Sequence, residues 1–160
     1  VAEGLALAQQ RGVRTLLNPA PWNPLPEELL SRVDVLVLNR VELSQCAPGA
    51  EEEEALRTLL DRGIPQVVLT DGARGARYRT ASGEAGRIPA PAVRVVDTTG
   101  AGDTFVGALA VLLAEGAPLE EAVRWGVHAG ALACTRLGAQ PSIPVRREVE
   151  AFLGERSAPR

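Results

Sequence analysis

The sequence predicts an α/β protein in which the strands of a mostly parallel sheet alternate with helices. Short continuous apolar runs, such as 33–38 and 66–70, are typical of strands buried on both faces. Segments with helical spacing separate these runs, and Gly, Asn or Pro stands where one element gives way to the next. Hydrophobic residues make up 46% of the 160 positions, so the chain is expected to bury a sizeable core, which excludes a disordered protein.

Each element follows from a local pattern. We expect strands at 13–17, 33–38 and 66–70, and helices at 1–11, 25–32, 51–62, 102–115, 118–137 and 145–153. Gly12, Gly63 and Gly154 mark predicted helix ends. The stretch 75–96 contains several Gly and Pro residues and indicates a hairpin followed by an extended connection. The acidic run 51–54 is predicted to be a solvated first helical turn, which the helix dipole favours, rather than a metal site.

Composition excludes several classes of protein. A formal net charge of −3 argues against a nucleic-acid partner recognised by bulk charge. We expect neither a membrane span nor a signal peptide, because no window has the ~18 uninterrupted apolar residues of a membrane helix and the start is not basic-then-apolar. Cys46 and Cys134 are expected to be reduced thiols of a cytoplasmic protein. Every basic residue is Arg, and the absence of Lys excludes a Walker-type phosphate loop.

Three polar or glycine-rich segments mark a candidate ligand site. They are Asn39 with Glu42, the loop 70–75 and the stretch 97–103. In open α/β sheets, ligands bind beyond the carboxyl ends of the strands, where all three of these segments are expected. On their own, Asn39 and Glu42 are equally well a strand-end turn and a surface acid, and the start of the 70–75 loop is equally well an ordinary turn.

The strongest signal is the stretch 97–105, Asp-Thr-Thr-Gly-Ala-Gly-Asp-Thr-Phe. Small residues at 100–102 let backbone N–H groups approach an anion, and the helix predicted to begin there directs its positive end to the same place. Such donors can stabilise charge on a transferred phosphoryl group without a lysine. Asp103 is then either a base that takes a proton from a hydroxyl or simply a carboxylate at a helix N-terminus.

Five segments together resemble the ribokinase family of carbohydrate kinases, the PfkB family. Residues 97–105 are similar to the family's second signature, and Asn-Arg-Val-Glu at 39–42 resembles its Asn-x-x-Glu motif. The segment 70–75 resembles the nucleotide loop, although Leu is more usual at its second position. Asn-Pro-Ala-Pro at 18–21 and Gly-Ala-Gln-Pro-Ser-Ile-Pro at 138–144 favour ribokinases over fructokinase or adenosine kinase members.

The resemblance implies a three-layer α/β/α, Rossmann-like sandwich and ATP-dependent phosphoryl transfer to the primary hydroxyl of a sugar, with ribose favoured. It implies that Asp103 is the base and that the backbone N–H groups of Gly100, Ala101 and Gly102 form the anion hole. In this reaction positioning and charge stabilisation do most of the catalysis.

The resemblance also implies cofactor sites for ATP, Mg²⁺ and K⁺. Asn39 and Glu42 would organise the Mg²⁺–phosphate region, partly through water. The nucleotide would contact Thr70, Asp71, Gly72, Ala73, Arg74 and Gly75. The ligands of K⁺ would be the side chains of Asp97 and Ser142 and the carbonyls of Thr99, Ala133, Arg136 and Gly138.

The adenine contact is less regular in this sequence. In relatives a polar residue near the base falls at the position of Val127, whereas the single histidine of this chain is His128. His128 is therefore interpreted as either a packed residue or a residue at the adenine edge. Ser142 is alternatively a cap for the last helix region, and Trp22 and Trp125 are expected to be packing residues.

Full-length relatives are about twice this long, so the resemblance covers their C-terminal half. We expect residues 1–156 to be the nucleotide-binding half of such a domain and 157–160 a frayed tail. The sugar-binding half and a small β lid would be absent, which fits a sequence without methionine that enters mid-fold. An uncovered sheet edge and apolar helix faces would favour self-association. Two hypotheses follow: a sugar kinase whose partner half lies elsewhere, with small-molecule sugar and ATP as partners, or a non-catalytic nucleotide-binding module.

Overall fold

A five-stranded sheet runs in chain order. Its strands are β1 (Leu16–Leu17), β2 (Val35–Asn39), β3 (Gln66–Thr70), β4 (Ala76–Thr80) and β5 (Ala85–Ile88). The first three strands are parallel, as the register of Val35 opposite both Leu16 and Gln66 shows. The first four residues of β2 and the three central residues of β3 are buried, as their continuous Val and Leu runs predict. The predicted α/β class is confirmed.

The computed structural model describes the backbone of residues 1–157 and the side chains of residues 1–154. Residues 158–160 of the predicted tail lie outside this part of the chain. The helices are α1 (Ala2–Gln10), α2 (Glu27–Leu30), α3 (Arg40–Cys46), α4 (Glu52–Asp61), α5 (Ala101–Ala114), α6 (Leu119–Ala133) and α7 (Arg146–Ser157), with 3-10 turns at Gly72–Arg74 and Gln140–Ser142. None of these helices is both long enough and apolar enough to cross a bilayer.

The chain divides into two compact units. The first comprises Val1–Asp71 and Arg77–Arg87, and the second comprises Gly72–Ala76 and the chain from Ile88 onward. The core of the first unit joins the apolar side chains of β2 and β3 to those of α1 and α4, and Trp22 packs against this core. Asp34, the one polar residue of the predicted strand 33–38, accepts hydrogen bonds from the amide (2.7 Å) and hydroxyl (2.9 Å) of Thr15.

The second unit is built on the close packing of α5 against α6. A Cβ added to Gly126 would lie 2.8 Å from the ring of Phe105, and one added to Gly130 would lie 3.1 Å from the carbonyl of Ala101. Small residues are therefore required on this face of α6, as the Ala- and Gly-rich sequence suggests. Trp125 lies on α6 under the guanidinium of Arg146, 5.5 Å from the ring centroid.

Several predicted boundaries were wrong. The sequence pattern missed α3, gave β1 five residues instead of two, and ended the last helix before Gly154, whereas α7 continues through it. Gly154 does not have the positive φ of a glycine helix stop. The helix expected at 118–137 ends at Ala133, and the next carbonyl, that of Cys134, accepts hydrogen bonds from the amides of Val96 (2.8 Å) and Asp97 (3.3 Å).

The acidic run at the start of α4 is more than a solvated turn. Glu52 pairs with Arg40 and with Arg77 of β4, and its side chain is only 19% exposed. Glu53 pairs with Arg79 of the same strand. The N-terminus of α4 is thus tied to β4 by ion pairs.

Candidate active site

The carboxyl ends of β2 and β3 place two predicted site residues side by side. Asn39 and Thr70 are partners in the parallel register, and the hydroxyl of Thr70 donates to the carbonyl of Leu38 at 3.3 Å. Polar groups at this edge of a parallel sheet are where an α/β fold binds ligands. The structure therefore places the first residue of the 70–75 loop beside Asn39. The prediction that 97–103 directly follows a strand was wrong, because the strand that precedes it, β5, ends at Ile88.

Asn39 and Glu42 form a capping box at the start of α3. The Asn39 side-chain oxygen accepts from the amide of Glu42 (2.9 Å), and the Glu42 carboxylate accepts from the amide of Asn39 (2.8 Å). The Glu42 residue is 5% exposed, so the alternative of a surface acid was wrong. The same two residues that resemble a ligand motif also terminate β2 and begin α3.

This arrangement fits a magnesium ion that keeps most of its water. Among the described residues no three His, Cys, Asp or Glu side chains cluster as a metal cage. Magnesium in phosphate-transfer sites is usually bound by one or two carboxylates together with water and substrate phosphates. The fixed carboxylate of Glu42 is a donor of that kind.

The loop after β3 contains two glycines with positive φ. Gly72 has φ +51° and Gly75 has φ +91°, and Gly72–Arg74 forms a 3-10 turn. A Cβ at Gly75 would lie 2.0 Å from the carbonyl oxygen of Ile88, so the chain permits no side chain there. Asp71 opens the loop, and its largely buried carboxylate lies 3.3 Å from Nε of Arg40.

In the second unit, Gly100 is the N-cap of α5 and has a left-handed φ of 75°. A Cβ there would meet the Cα of Ala139 at 3.2 Å. The amide of Ala101 donates to the carbonyl of Thr98 at 3.2 Å, so one of the three predicted anion-hole donors already has an acceptor. Within the described chain the amides of Gly100 and Gly102 donate no hydrogen bond, as expected for orphan donors at a helix N-terminus.

Gly102 differs from Gly100 in having no structural reason to be glycine. Its φ is not positive, and a Cβ built on it would have no heavy atom within 4 Å. Glycine inside a helix costs about 1 kcal/mol relative to alanine. A glycine that the fold does not need leaves room for a ligand to approach the helix start.

Asp103 follows in the first turn of α5 and is exposed. Its carboxylate has no hydrogen-bond or ion-pair partner among the residues that the structure describes. It lines a mainly apolar cleft of about 280 Å³, together with Val111, Trp125 and Val149. An unpartnered carboxylate in such a place can accept a proton from a bound hydroxyl.

Asp97 joins two predicted cation-site segments. One carboxylate oxygen accepts from the amide (2.9 Å) and hydroxyl (2.7 Å) of Thr99, and the other accepts from the amide of Gly138 (2.8 Å). These hydrogen bonds, the Thr99 amide first, hold the pKa of Asp97 below its usual value. Ser142 is fully buried, and its hydroxyl donates to the carbonyl of Ala139 at 2.6 Å.

The oxygen donors of the predicted K⁺ ligands have the chemistry that a cation site needs. The proposed ligands are one ionised carboxylate, one hydroxyl and the carbonyls of Thr99, Ala133, Arg136 and Gly138, all hard oxygen donors. The Ala133 carbonyl also accepts the amide of Arg136 at 3.2 Å. The hydrogen bond from the Gly138 amide to Asp97 already joins the segment around Asp97 to the segment around Gly138 without any ion.

Val127 and His128 occupy different environments on α6. Val127 is 6% exposed, whereas Nδ1 of His128 lies 2.8 Å from the carbonyl of Arg124. The His128 ring meets Phe152 of α7 edge-to-face, with the centroids 5.6 Å apart. His128 is therefore a packed residue, which is one of the two interpretations offered by the sequence. A role for Val127 or His128 at the adenine stays a prediction.

Arg136 is also held through its side chain. Its guanidinium forms two hydrogen bonds (2.6 and 3.2 Å) to the carboxylate of Glu148, which accepts a third from the amide of Val145. These contacts, that of Arg136 first, hold the pKa of Glu148 below its ordinary value of 4.5. A carboxyl whose pKa is lower in the folded state stabilises the fold above its ordinary pKa and loses that contribution as the pH falls through the lowered value.

We therefore expect Glu148→Gln to lower the urea midpoint at pH 7 and to have a steadily smaller effect as the pH falls below 4.5. Urea unfolding of both chains across this pH range measures the difference. Glu121→Gln, at an exposed position of α6, is the control. A difference between wild type and Glu148→Gln that is constant with pH would contradict the assignment.

The chain is similar to carbohydrate kinases over most of its length. The model of the pfkB family of carbohydrate kinases matches residues 1–146. The chain belongs to this family. The ribokinase of Haemophilus influenzae is 39% identical over 153 residues, which are 92% of this chain and 49% of that protein. The chain thus spans about half the length of the curated relatives it matches.

Solved structures of the pfkB family have the same fold. The ribokinase of Thermotoga maritima matches with a TM-score of 0.86 and 39% identity, over 94% of this chain and 52% of that one. An Arabidopsis thaliana ribokinase complexed with ribose and ATP matches with a TM-score of 0.87 and 34% identity, over 93% of this chain and 50% of that one. The chain therefore has the ribokinase-like α/β fold.

Proposed function

We propose that this chain supplies the nucleotide-binding and proton-abstracting groups of a ribokinase-like sugar kinase, which transfers a phosphoryl group from ATP to the primary hydroxyl of ribose. The start of α5 is the observation that carries the proposal. There an unneeded glycine, two amides without an acceptor in the described chain and an exposed carboxylate fall within four consecutive positions, 100–103. Family membership and the relative complexed with ribose and ATP support this choice of substrates.

In this mechanism Asp103 takes the proton of the attacking hydroxyl. The amides of Gly100 and Gly102, together with the positive end of α5, stabilise the negative charge of the transferred group. Residues Thr70–Gly75 would bind the nucleotide phosphates, and the Glu42 carboxylate, which accepts from the amide of Asn39, would hold a hydrated Mg²⁺. The cations supply positive charge beside the phosphates when they are bound.

Gly102→Ala tests the proposal because the fold does not require glycine at this position, whereas the proposed contact with the phosphates does. We expect the variant to be as stable as the wild type or more so, by up to about 1 kcal/mol, because alanine favours the helix. We expect ATP to bind about tenfold more weakly or worse, because the new methyl group displaces the phosphates from one charge-assisted hydrogen bond. Calorimetric titration with ATP and Mg²⁺ measures the affinity, and urea unfolding measures the stability.

Gly154→Ala is the matched control. Gly154 is also a helical glycine with open space where a Cβ would stand, and it lies on α7. Equal loss of ATP affinity in both variants, or none in Gly102→Ala, would contradict binding at the start of α5. ATP binding without ribose-dependent ADP release when the sugar-binding half is also present would favour the alternative of a non-catalytic nucleotide-binding module.

A further inference from the structure

We propose that Thr104 is a positioning residue for the anion hole: its buried hydroxyl, by donating to the carbonyl of Gly100, fixes the peptide unit that lies between the amides of Gly100 and Gly102. The inference rests on the proposed function, since that function assigns the transferred phosphoryl group to these two amides. Thr104 acts through the backbone and not by touching the substrate.

The peptide unit that joins Gly100 to Ala101 is the common neighbour of both donors. The Gly100 amide belongs to the peptide unit before it, and the Gly102 amide belongs to the one after it. Each peptide unit is planar, so successive units turn relative to each other only about φ and ψ. The angle between the two N–H groups therefore depends on how the middle peptide unit is oriented.

Gly100 does not fix that orientation by itself. It is the N-cap of α5 with φ +75° and ψ 2°, and glycine adopts positive and negative φ about equally readily. It also has no side chain with which to cap the helix. The conformation of this turn must therefore be held by contacts from other residues.

Thr104 holds the carbonyl end of the middle peptide unit with two hydrogen bonds. The Gly100 oxygen accepts from the Thr104 amide at 2.9 Å and from the Thr104 hydroxyl at 2.8 Å. At the other end of the same peptide unit, the amide of Ala101 donates to the carbonyl of Thr98 at the longer distance of 3.2 Å. Because hydrogen bonds are directional, two donors on one oxygen restrict its rotation more than the backbone amide does alone.

Helix stability does not account for this hydroxyl. Thr104 is 5% exposed and lines the mainly apolar cleft beside α5, where valine has nearly the same shape. A threonine hydroxyl that donates to the carbonyl four residues earlier slightly destabilises a helix and often bends it. Like the glycine at 102, Thr104 thus carries a feature that the helix does not need.

Thr104→Val and Thr104→Ser separate the hydroxyl from the rest of the side chain. Valine removes the donor and keeps the bulk, whereas serine keeps the donor and removes a buried methyl group. We expect Thr104→Val to bind ATP about fivefold more weakly, because misaligned hydrogen bonds weaken steeply, and Thr104→Ser to bind it like the wild type. Calorimetric titration with ATP and Mg²⁺ measures the affinities. Urea unfolding should give the opposite order, with Thr104→Ser the less stable variant.

Thr58 of α4 offers a matched control. Its hydroxyl donates to the carbonyl of Glu54 at 2.9 Å, which is the same contact between a threonine and the residue four positions earlier. Thr58→Val removes this hydrogen bond from a helix that has no part in the proposed anion hole. We expect it to change ATP affinity by less than about twofold. Equal weakening in Thr58→Val and Thr104→Val would overturn the inference.

A double variant tests whether Thr104 acts through the amide of Gly102. In Gly102→Ala the phosphates are already displaced from that amide, so adding Thr104→Val should weaken ATP binding by less than about twofold more. Independent effects would multiply. A further loss of about fivefold would therefore place the effect of Thr104 elsewhere and overturn the inference.

Failure of the inference differs from failure of the proposed function. A wild-type chain that does not bind ATP overturns both. A wild-type chain that binds ATP and is weakened by Gly102→Ala, with Thr104→Val within about twofold of the wild type, overturns the inference alone. The inference is also overturned if Thr104→Ser binds ATP as weakly as Thr104→Val, or if affinity follows stability among the three chains.

Discussion

The Asp103→Asn variant is expected to keep its fold while ribose-dependent ADP release, measured with the sugar-binding half present, falls by about 10²- to 10⁴-fold, the usual contribution of a general base. The side chain is exposed and has no partner among the described residues, so the substitution breaks no contact. ATP affinity should be unchanged or higher, because a negative charge is removed near the phosphates. Initial rates with ribose and ATP, with and without K⁺, together with calorimetric ATP titration, separate these effects.

The control addresses the alternative that Asp103 merely complements the helix dipole. Glu121 is an exposed acid in the first turn of α6, so Glu121→Gln removes the same kind of charge–dipole interaction. We expect both variants to lose the same small amount of stability and Asp103→Asn alone to lose activity. Full activity in Asp103→Asn would show that another group accepts the proton.

Gly75→Ala is expected to destabilise the chain by about 3 kcal/mol or more. Alanine at φ +91° is strained by about 1–2 kcal/mol, and its Cβ would lie 2.0 Å from the Ile88 carbonyl oxygen and 2.6 Å from the Ala90 nitrogen. Both obstacles are backbone atoms, so no side chain can rotate away to relieve the clash. Urea unfolding followed by circular dichroism measures the loss.

Gly83→Ala isolates the part of this cost that comes from φ. Gly83 lies in the turn between β4 and β5 with φ +95°, and a Cβ there would have open space. Gly83→Ala should therefore lower the free energy of unfolding only by the conformational strain of the positive φ. If the two variants were equally destabilised, the close approach of Gly75 to Ile88 would not be a determinant of stability.

The parts of the fold that depend on local composition could be predicted from the sequence. The strands β2 and β3 are continuous Val and Leu runs, and α4 and α5 have clear helical spacing, so each was located to within a residue or two. The helix α3 was missed because it follows β2 with no intervening loop. The pair Asn39 and Glu42 was interpreted as ligand chemistry, whereas the same spacing is a capping signal.

Contacts between distant residues could not be predicted in the same way. Nothing near Asp71 in sequence points to Arg40, and nothing near Asp97 points to the amide of Gly138; the chain must fold before these groups meet. The engaged amide of Ala101 and the open space at Gly102 are likewise geometric facts that a motif does not contain. Self-association and a cytoplasmic location stay predictions.

The two tryptophans give the molecule a pair of built-in fluorescent reporters. Trp22 belongs to the first compact unit and Trp125 to the second, so Trp22→Phe and Trp125→Phe each leave a single emitter, in one unit or the other. Each indole senses its own surroundings, an apolar core in one case and an overlying guanidinium in the other. Coincident urea transitions in the two variants would identify one cooperative folding unit, and separated transitions would reveal two.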